Sequence, residues 1–375
     1  MIAKAYEHPV DGHTVLPVLR PFLPDSLPLY RRLQFPYRTQ SSYVVATIPP
    51  PDILAEDAAG KVPQCFAVAF LDRSRRPETE LWIFLSGQVP GRCSGPPGDG
   101  NSCPACKEAV LATLRHISTL PLPEPVGPAL ASATENGTTD TTSQEEHLRH
   151  RDSSFPVSSY LSHLAYPSIL LLGAAHDLPV RILEQANLIR TEWPGIGIPY
   201  LKYIFRLSDL PPPHELPQDL RWGEVRGQDC ALVQARSAIP RTVDTIMRMP
   251  SVAVFSSSSS SSQDGMRSVD ERHRAGGEQL VAWAFMGLDG SLTALHVEAG
   301  FRGRGLAKAV VGRLFREHLK VFGEIGLEDK GWAHSDVAVE NWESRGVAKS
   351  LGGTEGWEVF WVRVDLEKIE RRAGG

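Results

Sequence analysis

Residues 292–307 constrain the fold of this chain more than any other stretch. They read as an apolar strand, a loop with glycines at positions 303 and 305, and the start of a long amphipathic helix. Because glycine has no Cβ, Gly303 and Gly305 let the backbone approach a ligand closely. The helix N-terminus adds unpaired N–H groups and the positive end of the helix dipole, which favour an anion. The pattern therefore predicts a phosphate-binding loop.

Three kinds of glycine loop are candidates. A P-loop requires a Lys-Ser/Thr pair, and this stretch supplies none. A dinucleotide fingerprint requires a third small residue and a strand-end acid about 20 residues later. Here Ala309 stands one position late, and Glu324 follows a predicted helix instead of a strand. The third candidate, Arg-x-x-Gly-x-Ala, matches residues 302–307, although an ordinary strand–turn–helix corner carries such a pattern equally well.

The elements around the loop favour the third candidate. An apolar stripe predicts a helix over residues 306–321. Downstream, a strand, a short helix and a closing strand are predicted at residues 332–339, 342–351 and 357–365. Upstream, strands are predicted at residues 220–225, 251–255 and 279–287, with two helical stretches between 229 and 248. This order resembles the GCN5-related N-acetyltransferase (GNAT) superfamily, and within it the glycine N-acyltransferase-like group.

The first half of the chain does not repeat the glycine loop. Its strands are predicted at residues 42–48, 66–71, 80–85 and 200–207, and its helices at 106–117, 167–177 and 179–187. Residues from about 120 to 155 are rich in Pro, Thr, Ser and Glu, and the serine-rich residues 256–277 are similarly polar. Such segments bury too little apolar surface to join a core, which predicts a flexible insertion and a flexible loop.

Three consecutive prolines at residues 211–213 indicate a domain boundary. We expect an α/β (α+β) protein in which residues 213–375 form a GNAT domain, with a mixed, mostly antiparallel sheet flanked by helices. Residues 1–212 form a second α/β domain in this prediction. The element order in that domain fits either a degenerate GNAT-like half or an unrelated α/β cap.

Bulk composition excludes several classes of protein. The 375 residues carry a formal net charge of −5, which gives no basic surface for nucleic acid. The N-terminus lacks the apolar core of a secretory signal. The longest apolar run, residues 169–175, is too short to span a bilayer. We expect a cytoplasmic protein that binds neither nucleic acid nor membrane.

The five cysteines do not predict a metal site. Cys103 and Cys106 have Cys-x-x-Cys spacing and Cys93 lies nearby, but a structural zinc usually has four ligands in two close pairs. The nearest candidates for a fourth ligand, Cys65 and His116, lack pair spacing. The sequence therefore favours small buried or loop thiols and no metal.

The GNAT resemblance implies acetyl-CoA or another acyl-CoA as the co-substrate. Its pyrophosphate would lie on the backbone of the loop and helix start, which comprise Arg302, Gly303, Arg304, Gly305, Leu306, Ala307 and Lys308. Its pantetheine arm would bond to the backbone of Leu295 and Val297, with Asn341 and Ser344 as further contacts. Asn341 suits a helix N-cap equally well.

Acyl transfer to an amine requires a base, an oxyanion donor and an acid for the thiolate. Strand alternation places His296 and Glu298 on one face, and His334 and Asp336 on one face of the next strand. Glu298, His296 and Asp336 are the candidate catalytic residues, and the resemblance implies the Val297 N–H as oxyanion donor. The tyrosine that many GNAT members use as the acid is missing, because its place falls at Val347-Ala348.

The predicted function is an acyl-CoA-dependent N-acyltransferase acting on a small amine or an amino acid. Two alternatives stay open. The missing tyrosine favours a catalytically weak CoA-binding or regulatory module. A protein N-acetyltransferase would need an open peptide groove that the first half leaves clear.

Overall fold

A computed structural model gives the architecture of the chain. It describes residues 3–51, 62–76, 78–93, 103–123, 165–192, 198–213, 215–237, 239, 241–257, 278–323 and 331–369. The structural statements below concern these residues. The predicted insertion at 120–155 and the predicted loop at 256–277 fall largely outside them.

The described strands join in one mixed sheet. They are β1 (Tyr6–His8), β2 (Ser42–Ala46), β3 (Ala67–Asp72), β4 (Leu81–Leu85), β5 (Ile169–His176), β6 (Ile189–Arg190), β7 (Tyr200–Arg206), β8 (Leu220–Gly223), β9 (Ser251–Ser257), β10 (Glu278–Met286), β11 (Ser291–Val297), β12 (Trp332–Ala338) and β13 (Thr354–Asp365). The strand order is β1-β2-β3-β4-β5-β13-β7-β12-β11-β10-β9-β8, and β6 pairs with β13.

Helices cover both faces of this sheet. They are α1 (Leu16–Leu19), α2 (Leu27–Gln34), α3 (Pro104–Thr119), α4 (Asp177–Gln185), α5 (Cys230–Ala235), α6 (Val243–Arg248), α7 (Leu306–His318) and α8 (Trp342–Ser350). Gly352, with φ of 81°, follows α8 and supplies the left-handed residue that commonly ends a helix. No helix in the described ranges is both long and apolar enough to cross a bilayer.

The two halves of the chain follow the same order of elements. In the first half, β2, β3 and β4 form an antiparallel meander, and α3 then leads to β5, which is parallel to β4. In the second half, β9, β10 and β11 form the meander, and α7 leads to β12, which is parallel to β11. This repeat confirms the predicted fold class and gives both halves a GNAT-like arrangement.

The halves exchange strands. β7 belongs to the first half in sequence, yet it pairs along its whole length with β12 of the second half. In return, β13 from the end of the chain pairs with β5 of the first half. Each half therefore completes its sheet with a strand from the other, and one continuous sheet results.

Strand β3 shows why the sheet needs helices on both faces. Its alternate residues enter different cores: Ala69 and Leu71 pack with α3, whereas Val68 and Phe70 pack with α1 and α2. A third core lies under α7 and contains Val310, Leu314 and much of β9 and β10. Strands covered on both faces carry continuous apolar runs instead of alternating ones.

One predicted element is wrong. The sequence predicts a helix at residues 167–177, but residues Ile169–His176 form strand β5. Leu170, Leu171 and Leu172 are all buried, because β5 lies inside the sheet between β4 and β13. A short apolar run without period-two alternation does not distinguish a buried strand from a helix. Sequence patterns also missed β1, α1, α2 and β6.

Candidate functional site

Strand β11 leaves the regular sheet just before the glycine loop. Ala294 has a φ of 50°, and two residues, Ala294 and Leu295, lie opposite the single residue Ala284 of β10. This is a β-bulge, which bends and twists a strand. On its other side, β11 pairs with β12 only at Ser291 and Leu292 among the described residues. Beyond that point the two parallel strands no longer pair.

The gap between β11 and β12 exposes backbone groups of β11. The Glu298 N–H donates to the Val281 carbonyl at 2.8 Å. In an antiparallel pair, successive residues point their N–H groups to opposite sides, so the Val297 N–H faces away from β10 and towards the gap. The Val297 carbonyl accepts a hydrogen bond from Arg302 Nε at 3.2 Å. The strand end is thereby tied to the start of the loop.

The glycine loop leads directly into α7. Gly303 and Gly305 both have φ of 76°, a left-handed conformation that glycine adopts without a steric penalty. Gly305 is the N-cap, and the first intrahelical bond runs from the Ala309 N–H to the Gly305 carbonyl at 3.1 Å. The N–H groups of Leu306, Ala307 and Lys308 precede this bond, so they have no intrahelical acceptor. They form the anion-binding end of the helix.

The basic side chains of the loop differ in their partners. Arg304 is paired with Asp219, with Nη2 at 2.9 and 3.0 Å from the two carboxylate oxygens. Arg302 is exposed apart from its bond to the Val297 carbonyl, and Lys308 is exposed in the first turn of α7. Arg302 and Lys308 are thus in a position to meet a phosphate from solvent. Arg304 would first have to leave Asp219.

Asn341 and Ser344 stand at the start of α8, next to the end of β12. Asn341 is the N-cap, and its Oδ1 accepts from the Ser344 N–H at 3.0 Å. The structure thus shows the capping role that the sequence allowed. The Asn341 amide nitrogen is not used in this cap, so a contact with pantetheine stays a prediction compatible with capping.

His296 and Glu298 meet at the end of β11. Their side chains approach to 3.6 Å between His296 Nε2 and Glu298 Oε1. Glu298 also forms an ion pair with Arg236 at 3.0 Å, and the His296 ring stacks on Trp283 with ring centroids 4.6 Å apart. Sequence reasoning missed Arg236 and Trp283, because nothing in their local patterns points to this strand end.

Asp336, the third candidate base, lies in a buried network. Its Oδ1 is 2.6 Å from Lys202 Nζ, and Lys202 has no exposed surface. Burial raises the pKa of the Asp336 carboxyl, although the Lys202 charge opposes this effect. Lys202 Nζ also donates to His334 Nδ1 at 3.3 Å, and His334 Nε2 donates to the Asp289 carbonyl at 2.8 Å. Asp336 is therefore engaged with a buried cation.

Burial and the Lys202 charge lower the pKa of His334 to about 3. The neutral tautomer that carries its proton on Nε2 satisfies both of its hydrogen bonds. Sequence reasoning placed His334 and Asp336 on one strand face, but it had no signal for Lys202, which comes from the first half of the chain.

The place of the missing tyrosine is filled by apolar side chains. Val347 and Ala348 pack against the core beneath α7. A tyrosine from β7 contacts α8: the Tyr203 hydroxyl donates to Glu355 Oε1 at 2.8 Å and accepts from Arg345 Nε at 3.3 Å. Hydrogen bonds from Tyr203, Lys349 and Arg345 lower the pKa of Glu355 to about 2.

A groove of about 300 Å³, including its open mouth, lies between elements of the first half and the start of β13. Its lining includes Trp82, Phe84, Ala174, His176 and Trp357. None of its lining residues belongs to β11, the glycine loop or α7. The groove is thus separate from the candidate site described above.

Comparison with known protein families identifies the chain. The acyl-CoA N-acyltransferase verG N-terminal domain family matches residues 2–203, more than half of the chain. The FR47-like protein family matches residues 272–362, which contain β11, the glycine loop and Asn341. The chain belongs to the GNAT superfamily. Its fold class supports acyl-CoA N-acyltransferase activity in general terms.

One solved structure shares the fold over nearly the full length of the chain. A Drosophila protein from a structural genomics programme is 10% identical, with a TM-score of 0.54 over 96% of this chain and 98% of that chain. A tandem GNAT protein from the clavulanic acid biosynthesis pathway, solved without AcCoA, is 10% identical with a TM-score of 0.42 over 97% and 98% of the two chains. No curated protein matches the chain by sequence.

Proposed function

We propose that this GNAT protein is an acyl-CoA-dependent N-acyltransferase that transfers an acetyl or longer acyl group to the amine of a small molecule or an amino acid. In this proposal residues 213–375 bind acyl-CoA, and residues 1–212 shape the acceptor side. The observation that carries it is the opening between β11 and β12, which leads straight to the glycine loop and the N-terminus of α7.

The acyl-CoA fits this opening by general chemistry. The pyrophosphate would lie against the N–H groups of the loop and of the first turn of α7, where the dipole favours negative charge. Arg302 and Lys308 would add charge-assisted contacts. The amide-rich pantetheine arm would bond to the β11 backbone where β12 no longer pairs, as an added strand does. Val297, whose N–H faces the gap, would then reach the thioester carbonyl.

Glu298 is our proposed general base, with His296 as its neighbour. Both lie at the end of β11, one residue on either side of Val297. The Val297 N–H would stabilise the oxyanion of the tetrahedral intermediate. Glu298 would accept the amine proton, directly or through one water. Asp336 ranks below both, because it lies with Lys202 in a buried network, whereas Glu298 and its partner Arg236 are only partly buried.

Two arginines near β11 support an acceptor that carries a carboxylate. Arg236 contacts Glu298, and Arg241 Nη2 donates to Thr293 Oγ1 at 2.7 Å. Guanidinium groups bind carboxylates in a planar, two-bond geometry. An amino acid would place its amine near Glu298 and its carboxylate against Arg241, and against Arg236 once Arg236 leaves Glu298. This arrangement favours the glycine N-acyltransferase-like assignment over a protein substrate.

The apolar side chains at positions 347 and 348 favour a second candidate, a CoA-binding module with weak or no transfer activity. Without a tyrosine acid, the thiolate of CoA would leave unprotonated. A thiol has a pKa near that of cysteine, about 8.5, which makes such a departure tolerable for an enzyme. The first candidate is therefore preferred.

Calorimetric titration with acetyl-CoA tests the proposal. We expect micromolar binding by the native chain and none by Gly305→Glu, which puts bulk and negative charge where the pyrophosphate lies. Gly305→Ala is the matched control, because it introduces the same backbone strain without the charge and should weaken binding only about tenfold. Absence of binding by the native chain would overturn the acyl-CoA assignment. Binding without thiol release on a panel of amino acids and amines would favour the regulatory module.

A further inference from the structure

Four of the five cysteines meet at one point in the first half. Cys65 lies just before β3, Cys93 follows β4, and Cys103 and Cys106 stand at the start of α3. The Sγ atom of Cys65 is 3.7 Å from that of Cys93 and 3.8 Å from that of Cys103, and the Sγ atoms of Cys93 and Cys106 are 3.6 Å apart. All four sulfur atoms lie within 4.8 Å of one another.

These distances distinguish between the possible states of the thiols. A disulfide brings two sulfur atoms to about 2.05 Å, and all five cysteines are free in this structure. A tetrahedral Zn²⁺ with Zn–S bonds of about 2.3 Å sets its sulfur ligands about 3.8 Å apart along each edge of the tetrahedron. The three separations given above match that edge. The 4.8 Å limit on every pair leaves one common centre for all four sulfur atoms.

The local structure aims the thiols at this centre. Cys103 is the N-cap of α3, Pro104 is its first residue, and Cys106 lies in its first turn. Both side chains therefore start from the N-terminal end of α3. Gly87 approaches from the segment after β4: a Cβ on this residue would come within 2.4 Å of Cys106 Sγ. The backbone at position 87 therefore packs directly against the sulfur cluster.

The topological position of the cluster is equally informative. It lies at the connection from β4 to α3, and α3 leads on to β5, the parallel neighbour of β4. In the second half the corresponding connection, from β11 to α7, holds the glycine loop, and α7 leads on to β12. The first half thus has a cluster of thiols where the second half has its anion-binding loop.

We propose that Cys65, Cys93, Cys103 and Cys106 bind one structural Zn²⁺, which fixes the β4–α3 connection in the place that the second half uses for its cofactor loop. Binding replaces the four thiol protons by four Zn–S bonds and involves no redox change. Four protein ligands leave no open coordination position, which is the mark of a structural site and not of a catalytic one. The proposal departs from the sequence prediction of no metal, because Cys65 reaches the other three cysteines only through the fold.

The proposal is independent of the acyl-CoA site, so it has its own test. The untagged full-length chain, purified under reducing conditions, should contain about one zinc per chain by plasma mass spectrometry. Cys103→Ser should reduce this content at least severalfold. Cys230→Ser is the matched control: Cys230 is also buried but lies outside the cluster, at the start of α5, and its replacement should leave the zinc content unchanged.

Cobalt substitution keeps the test valid if the cysteine variants fail to fold. The native chain, stripped by a chelator and loaded with Co²⁺, should show the thiolate-to-cobalt charge-transfer band and the intense visible bands of a tetrahedral site. Chelation should lower the Tm, and added Zn²⁺ should restore it. A chain that contains no metal and still titrates with five free thiols would overturn the proposal. So would disulfides among the four cysteines, or iron in place of zinc.

Discussion

Lys202 and Asp336 form an ion pair across the two halves of the chain, with Nζ and Oδ1 2.6 Å apart. Lys202 lies on β7, which the first half contributes to the sheet, and Asp336 lies opposite it on β12. The contacts continue through His334 to Asp289, whose carboxylate accepts from Trp82 Nε1 of the first half at 3.3 Å. A buried polar network therefore joins the halves where their strands are exchanged.

Replacement of Lys202 should destabilise the protein. Lys202→Met leaves the Asp336 carboxylate buried without its cation, and breaking a buried pair in this way costs about 3–5 kcal/mol. Urea denaturation followed by circular dichroism measures this loss. The double variant Lys202→Met/Asp336→Asn should recover at least about 1 kcal/mol, because contacting residues show coupling energies of that size. Strictly additive effects of the two substitutions would show that the pair does not act as a unit.

His334 should make stability depend on pH. Its pKa in the folded protein, about 3, lies below its ordinary value of 6.5. Between pH 6.5 and 3 the imidazole is protonated in the unfolded chain but stays neutral in the folded chain. The free energy of unfolding is therefore highest above pH 6.5 and decreases as the pH falls towards 3. The groups that face this ring are Lys202, Asp289 and Arg31, and Lys202 carries the adjacent positive charge.

Urea denaturation at pH 7, 6 and 5 measures the effect of His334. The native chain should lose about 2 kcal/mol more than His334→Gln between pH 7 and 5, with a limiting slope of about 1.4 kcal/mol per pH unit. The comparison uses the slope of the free energy of unfolding against pH. A loss of stability that the substitution causes equally at every pH does not change this slope. Equal slopes for the two proteins would contradict the low pKa.

Glu298→Gln should reduce the rate of transfer without weakening acyl-CoA binding. Removal of a general base typically lowers kcat about 10²-fold or more. Thiol release under acyl-CoA saturation measures kcat, and calorimetry measures acetyl-CoA binding. Glu358→Gln, on the exposed side of β13, is a matched control and should behave like the native chain. An unchanged kcat for Glu298→Gln would exclude Glu298 as the base.

Two substitutions at Asn341 separate helix capping from cofactor binding. Serine caps helices as well as asparagine does but lacks the amide nitrogen, so Asn341→Ser should preserve the Tm. If the amide contacts pantetheine, this variant should raise the KM for acetyl-CoA about fivefold, since a lost hydrogen bond is worth about 1 kcal/mol. Asn341→Ala should lower stability by about 1 kcal/mol as well. A native KM in Asn341→Ser would limit Asn341 to capping.

Local sequence was sufficient for much of the second half. The glycines at 303 and 305 and the helix stripe that follows them depend on neighbours a few residues away. The structure accordingly shows α7, with Gly305 as its N-cap, and β12 leading to α8, with Asn341 as its N-cap. The element order around them was enough to identify the superfamily.

The predicted helix at residues 167–177 failed for a physical reason. Ile169 to Ala175 are apolar without alternation, and their environment was set by β4 and β13, which are distant in sequence. A strand buried on both faces carries no period-two signal. The same limit applies to the environment of Asp336, because its partner Lys202 is 134 residues away in sequence.

The sequence by itself determined the GNAT-like order of elements, the glycine loop and the candidate residues at the end of β11. Each of these is encoded in residues that are close along the chain. Only the tertiary structure decided which strands complete which sheet, that Lys202 pairs with Asp336, and that Cys65 joins Cys93, Cys103 and Cys106. Those contacts form when segments that are distant in sequence pack together, so local sequence periodicity does not predict them.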